Sequence, residues 1–188
     1  MINRILIRTR IVQIVYSWYQ NTNKDLRIAE KELLFGLQKS YDLYYYLLLL
    51  IVELTRTYDA RIEAKRNRYL PSDEDLNPNV KLIDNKFVKQ LSQNNQFNKY
   101  LGERPMSWSE HDAFVKNLLD EILSSDTYAN HSSKTKLTYS DDQEFWRKIF
   151  KQFVHNNEKL DEILEDESIF FNDDIEIVQT FVMNSIKQ

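Results

Sequence analysis

Residues 26–69 read LRIAEKELLFGLQKSYDLYYYLLLLIVELTRTYDARIEAKRNRY, forty-four residues with no proline and a single glycine, Gly36. Apolar side chains recur through this stretch at helical spacing. Between Tyr41 and Val52 they cover nearly every side, as expected of a helix buried from several directions. From Glu53 onward the pattern is amphipathic. Leu54, Tyr58, Ile62 and Tyr69 lie on one side, with Arg56, Arg61, Lys65, Arg66 and Arg68 elsewhere. Pro71 stops the pattern. One helix over the whole stretch would far exceed the usual three turns, so a break near Gly36–Ser40 is expected.

The rest of the composition agrees. The 188 residues include two glycines, three prolines and no cysteine. Sheets need turns rich in Gly, Pro and Asn-Gly, so the chain is expected to be all-α, a helical bundle. The missing cysteines exclude disulfides, thiolate metal sites and cysteine nucleophiles. The longest apolar run, Leu43–Val52, has ten residues, whereas a membrane span needs about 20. Arg4, Arg8 and Arg10 interrupt the first apolar stretch, which therefore does not read as a signal peptide. The expected location is cytoplasmic, with no membrane partner.

Charge divides the chain at the polar stretch PSDEDLNPNV, residues 71–80. Residues 1–70 carry 12 basic and 7 acidic side chains, 12 − 7 = +5, and residues 71–188 carry 13 and 22, 13 − 22 = −9. Two regions follow, 1–70 and an acidic helical region 71–188. Further helices are expected over 83–101, over 107–123 behind a Ser107/Glu110 capping box, and over 140–155 behind a Ser140/Gln143 box. A short helix over 156–167 and one over 173–186 complete the set, with 124–139 as a loop. Asp173 and Asp174 suit a helix N-terminus.

Catalytic constellations are absent. His111, His131 and His155 have no partner at metal-ligand spacing, and two glycines cannot build a phosphate-binding loop. Carboxylate pairs such as Asp120–Glu121, Asp161–Glu162 and Asp173–Asp174 read as solvated faces, since nothing specifies the shared pocket that acid/base work requires. No cofactor, metal or enzymatic activity is expected. Tyr41, Tyr44, Tyr45 and Tyr46 point in different directions on a helix and so read as core rather than as a base-stacking platform.

Residues 3–20 form an amphipathic helix that has Arg4, Arg8 and Arg10 and no acid. Arg4 and Arg8 lie on the side of Ile11 and Val15, so the apolar stripe turns cationic in its first two turns. Arg10 is expected on the opposite, polar side with Gln13 and Ser17. Guanidinium groups buried without partners would cost heavily. Either these turns overhang the bundle and meet an anion, or acids elsewhere pair with them. Arginine grips phosphate bidentately, and Gln13 or Tyr16 adds base-edge or stacking contacts.

The run Arg4-Ile-Leu-Ile-Arg8-Thr-Arg10-Ile-Val12-Gln13-Ile-Val-Tyr16-Ser17-Trp18 resembles the opening helix of NusB-type transcription antitermination factors. Leu47 to Leu70, LLLLIVELTRTYDARIEAKRNRYL, is similar to the long helix of that family's N-terminal subdomain. The resemblance spans about 70 residues. It implies a NusB-like set of N-terminal helices followed by an additional helical region. It also implies binding of boxA-type single-stranded RNA alongside NusE, a ribosomal small-subunit protein, in the transcription elongation complex. Matched position by position, it marks Arg4, Arg8, Gln13 and Tyr16 as RNA contacts; Arg10 joins them on charge alone. The family's Asn-Glu-x-x-Glu-like stretch and terminal Phe-x-Asn-Gly are missing. Residues 71–188 are expected to be a lineage-specific insertion or extension, the chain being the front part of a longer protein. The competing expectation is a helical adaptor that grips a basic protein through the acidic 71–188 region.

Overall fold

The computed structural model describes residues 4–20 and 25–187. They form helices joined by short connections, without a strand among them. Helix α1 (Arg4–Gln20) leads to α2 (Leu26–Arg66), which is 41 residues and so about 60 Å long. Asp25 caps α2 by accepting a hydrogen bond from the Arg27 N–H at 2.9 Å, and Lys65 and Arg66 in its last turn suit the negative end of the helix dipole. The break expected at Gly36–Ser40 does not occur. A mid-helix glycine costs only about 1 kcal/mol, and packing on both sides of this point outweighs that.

The helices after Pro71 gather around the middle of α2. They are α3 (Asp73–Leu76), α4 (Lys86–Ser92), α5 (Asn95–Gly102), α6 (Asp112–Leu123), α7 (Asp126–Ser133), α8 (Tyr139–Ile149), α9 (Glu158–Glu167) and α10 (Ile169–Ile186). α10 and α6 lie along α2, and α9 and α8 back onto α10. One apolar core runs from Leu43, Leu47, Leu50 and Leu54 of α2 to Leu119, Trp146, Leu160, Val178 and Ile186. The reading of Tyr41–Val52 as a helix enclosed from several sides holds, and Tyr44 and Tyr46 are buried in that core. No described helix is long and apolar enough to cross a membrane.

Several helix limits differ from the sequence reading, many of them because of a capping residue. Residues 83–101 form two helices. Asn94 accepts the Phe97 N–H at 3.0 Å and starts α5 afresh, just as Asn85 caps α4 through the Val88 N–H. The box at α8 pairs Thr138 with Asp141, not Ser140 with Gln143. Ser107 heads no box; a short 3₁₀ turn, Ser109–His111, precedes α6 instead. Ser125 caps α7 within the expected loop. α8 gives way to a π turn at Phe150–Val154, which ends before Asn156, the one described non-glycine residue with positive φ. α10 begins four residues earlier than expected, at Ile169, so Asp173 and Asp174 sit one turn inside it.

Candidate nucleic-acid interface

Helix α1 lies against α2, and its buried residues are Leu6 and Arg10. Arg10 is therefore not on the outer polar side, where helical periodicity alone placed it; that expectation is corrected. Its residual exposure is 4%. Nη2 donates to Asp174 Oδ2 at 2.7 Å and to the Phe170 carbonyl at 3.2 Å, while Nη1 donates to Asp173 Oδ2 at 3.3 Å and to Gln13 Oε1 at 3.1 Å. The guanidinium also stands 5.5 Å from the centroid of the Phe170 ring. Asp174, 1% exposed, accepts a further bond from the Ser40 hydroxyl. α1, α2 and α10 thus meet at one buried charge cluster, in which carboxylates, a carbonyl and the Gln13 amide compensate the loss of water at Nη1 and Nη2, while the buried Nε has no partner among the described residues. The reading of Asp173–Asp174 as a solvated face is likewise corrected: Asp173 is half exposed, but Asp174 is core.

Gln13 belongs partly to the same cluster, since its amide also reaches Asp173 Oδ2 at 3.4 Å. Arg4, Arg8 and Tyr16 lie elsewhere. With Val12 they follow one another at four-residue steps, each about 40° further round α1. All four are exposed. The row runs over twelve residue steps, about 18 Å along the axis. Arg4 and Arg8 form no ion pair with any described carboxylate; Asp173 and Asp174 of α10 are taken up by Arg10. α1 itself contains no acid. The outer surface of α1 therefore presents two solvated guanidinium groups and, about 120° round from the first of them, an exposed phenol ring. That geometry suits phosphates and an unstacked base.

Two other polar clusters are built differently. His131 Nε2 lies 2.9 Å from Asp142 Oδ1, the imidazole stacks on Phe145, and Asp142 Oδ2 accepts the Lys86 N–H at 2.8 Å. Both side chains are buried, so the pair fastens α4, α7 and α8 together. Among Lys39, Asp42, Tyr46, Arg104, Glu110 and Glu167 there is a concavity of about 340 Å³. Its central carboxylate, Asp42, is held by the Tyr100 hydroxyl at 2.8 Å, by Arg104 Nε at 3.1 Å and by Lys39 Nζ at 3.6 Å. Burial and the Asp42 carboxylate push the Tyr100 phenol well above its ordinary value. A carboxylate held by these donors and by the Gln38 amide at 3.4 Å, beside a phenol that keeps its proton, serves packing better than proton transfer. No group of three or more His, Cys, Asp or Glu among the described residues is arranged to hold a metal ion.

No protein-family model matches the chain, and no curated protein or solved structure matches it either. Sequence reasoning missed the Arg10 cluster because its acids lie more than 160 residues away.

Proposed function

We propose that this chain is a NusB-type, non-enzymatic RNA-binding regulator of transcription. It binds boxA-like single-stranded RNA through the outer face of α1, alongside NusE and the elongation complex. The observation that carries this reading is the exposure of Arg4 and Arg8 without carboxylate partners among the described residues, in one row with Tyr16. The two arginines take phosphates, and Tyr16 stacks on a base. Gln13 stands at the edge of this face, shared with the cluster below. Arg10 makes no contact with RNA; it anchors the helix, so that the side chains above it need little ordering when RNA arrives.

Fluorescence anisotropy with a labelled boxA-like RNA, measured over a series of salt concentrations, tests the reading. The wild-type affinity falls as salt rises, and Arg4→Ala/Arg8→Ala reduces the slope by about 1.4, about 0.7 for each phosphate contact on a single strand. A double variant that binds as tightly as wild type, with an unchanged slope, refutes the assignment.

A further inference from the structure

The hairpin of α1 and α2 leaves an apolar furrow open along its length. Ile11, Val15 and Trp18 form one wall and Leu26 and Leu33 the other; Glu30 is the one charged residue lining its volume of about 460 Å³. The two helices that form it carry most of the exposed apolar side chains. Ten of the fourteen exposed large apolar side chains among the described residues lie between Ile5 and Phe35. Single exposed apolar residues are ordinary, whereas Ile11, Val15 and Leu26, all exposed along one furrow, mark a contact surface.

We propose that this furrow is a docking site for an amphipathic helix of a second protein, apolar on one face and acidic beside Arg4 and Arg8. Two adjacent helices present parallel ridges into which the side chains of a third helix fit at about 8–10 Å between axes. The described residues offer no strand edge for an extended peptide to join, so a helix in the groove is the mode that suits this surface. Charge selects the occupant. Arg4 and Arg8 project within about 60° of Ile11 and Val15 around α1, so a helix lying along the furrow runs past both guanidinium groups. The carboxylates of α10 are committed to Arg10. A second copy inserting its own α1 would bring two more arginines and no carboxylate from that helix. The inference goes beyond RNA binding: the furrow walls lie beside the Arg4–Tyr16 row, and only the two arginines are shared.

The probe is a fluorescein-labelled, 18-residue helical peptide with leucines at heptad spacing and flanking glutamates, together with a twin carrying lysine for glutamate. The full chain binds the glutamate peptide about tenfold more tightly than its twin. Leu26→Asp, and separately Val15→Asp, weakens that binding at least tenfold. Circular dichroism melts confirm folding, and because the two variants lie on opposite walls, loss of fold in one leaves the other as the readout. Arg4→Ala/Arg8→Ala abolishes the preference between the peptides. Equal binding of the twin, or indifference to both furrow variants, overturns the proposal. So does a doubled mass in sedimentation velocity that either furrow variant returns to the monomer, since the occupant is then a second copy. Leu26→Asp leaves RNA affinity unchanged, so failure of the furrow and failure of the RNA reading are separately visible.

Discussion

Arg10 Nη2 and Asp174 Oδ2 stand 2.7 Å apart, joined across 164 residues of sequence. The bond brings the first helix of the chain to the last, over the Gly36–Ser40 turn of the helix between them. Both side chains are nearly excluded from water. The pair therefore holds α1 in place and takes one arginine out of contact with solvent, while Arg4 and Arg8 stay on the outside.

Removing one partner should be severe. Arg10→Leu leaves Asp174 buried without its cation and is expected to cost about 3–5 kcal/mol, measured by urea denaturation. Arg10→Leu/Asp174→Leu should recover a large part of that loss, because two apolar groups leave no buried charge behind. A single-variant loss below about 1 kcal/mol would show that the pair does not hold α1. Arg10→Leu should also weaken RNA binding, although Arg10 itself faces away from the proposed RNA.

Gly36→Ala should stabilise the protein. A Cβ at this position meets Arg10 Cδ and Nε at 3.6 Å, an ordinary packing distance. Alanine also restricts the unfolded chain more than glycine does, a gain of about 0.5–1 kcal/mol in a helix interior. Thermal melting should show a rise in Tm. A fall would mean that α2 needs the glycine's freedom where it passes under Arg10.

Trp108 lies between helices, yet it is core. It is 2% exposed, its ring stacks on Tyr46 with centroids 4.1 Å apart, and Nε1 donates to the Tyr46 carbonyl at 3.1 Å. Trp108→Ala should cost about 3–5 kcal/mol. Trp108→Phe keeps the stacking and gives up the hydrogen bond, about 1 kcal/mol. If the two variants prove equally destabilised in urea, stacking contributes little.

The start of α8 gives stability a pH dependence. The Lys134 ammonium, followed by the Thr138 hydroxyl and backbone N–H, holds the Asp141 carboxyl well below its ordinary value of 3.8. A carboxylate with a depressed folded pKa contributes stability above its unfolded pKa, and that contribution fades as the pH falls from about 4 toward the folded value. Asp141→Asn should therefore flatten the acid limb of the stability–pH curve relative to wild type. Thr138→Ala removes the cap accepted from the Asp141 N–H and should cost about 1 kcal/mol at neutral pH. An acid limb unchanged by Asp141→Asn would place that pH dependence on other carboxylates.

Much of the architecture was legible from local pattern. The apolar spacing of residues 26–69 and the near absence of glycine and proline sufficed for an all-helical chain with a buried centre at Leu43–Val52. Helix limits were less legible, because Asn94, Ser125 and Thr138 act through a few local hydrogen bonds each and the chain offers many similar polar residues. At the candidate site, periodicity placed Arg4 and Arg8 on one side with Ile11 and Val15. It had no means of saying which side of α1 would meet the protein.

Composition and periodicity determined, unaided, that this chain is helical and that its first helix concentrates positive charge. Only the packed structure decided that Arg10 turns inward while Arg4 and Arg8 remain outside. The physical reason is that burial of a guanidinium depends on which acids the fold delivers to it. Asp173 and Asp174 reach Arg10 through the long run of α2 and the return of α10, and that route is invisible in any local stretch of sequence.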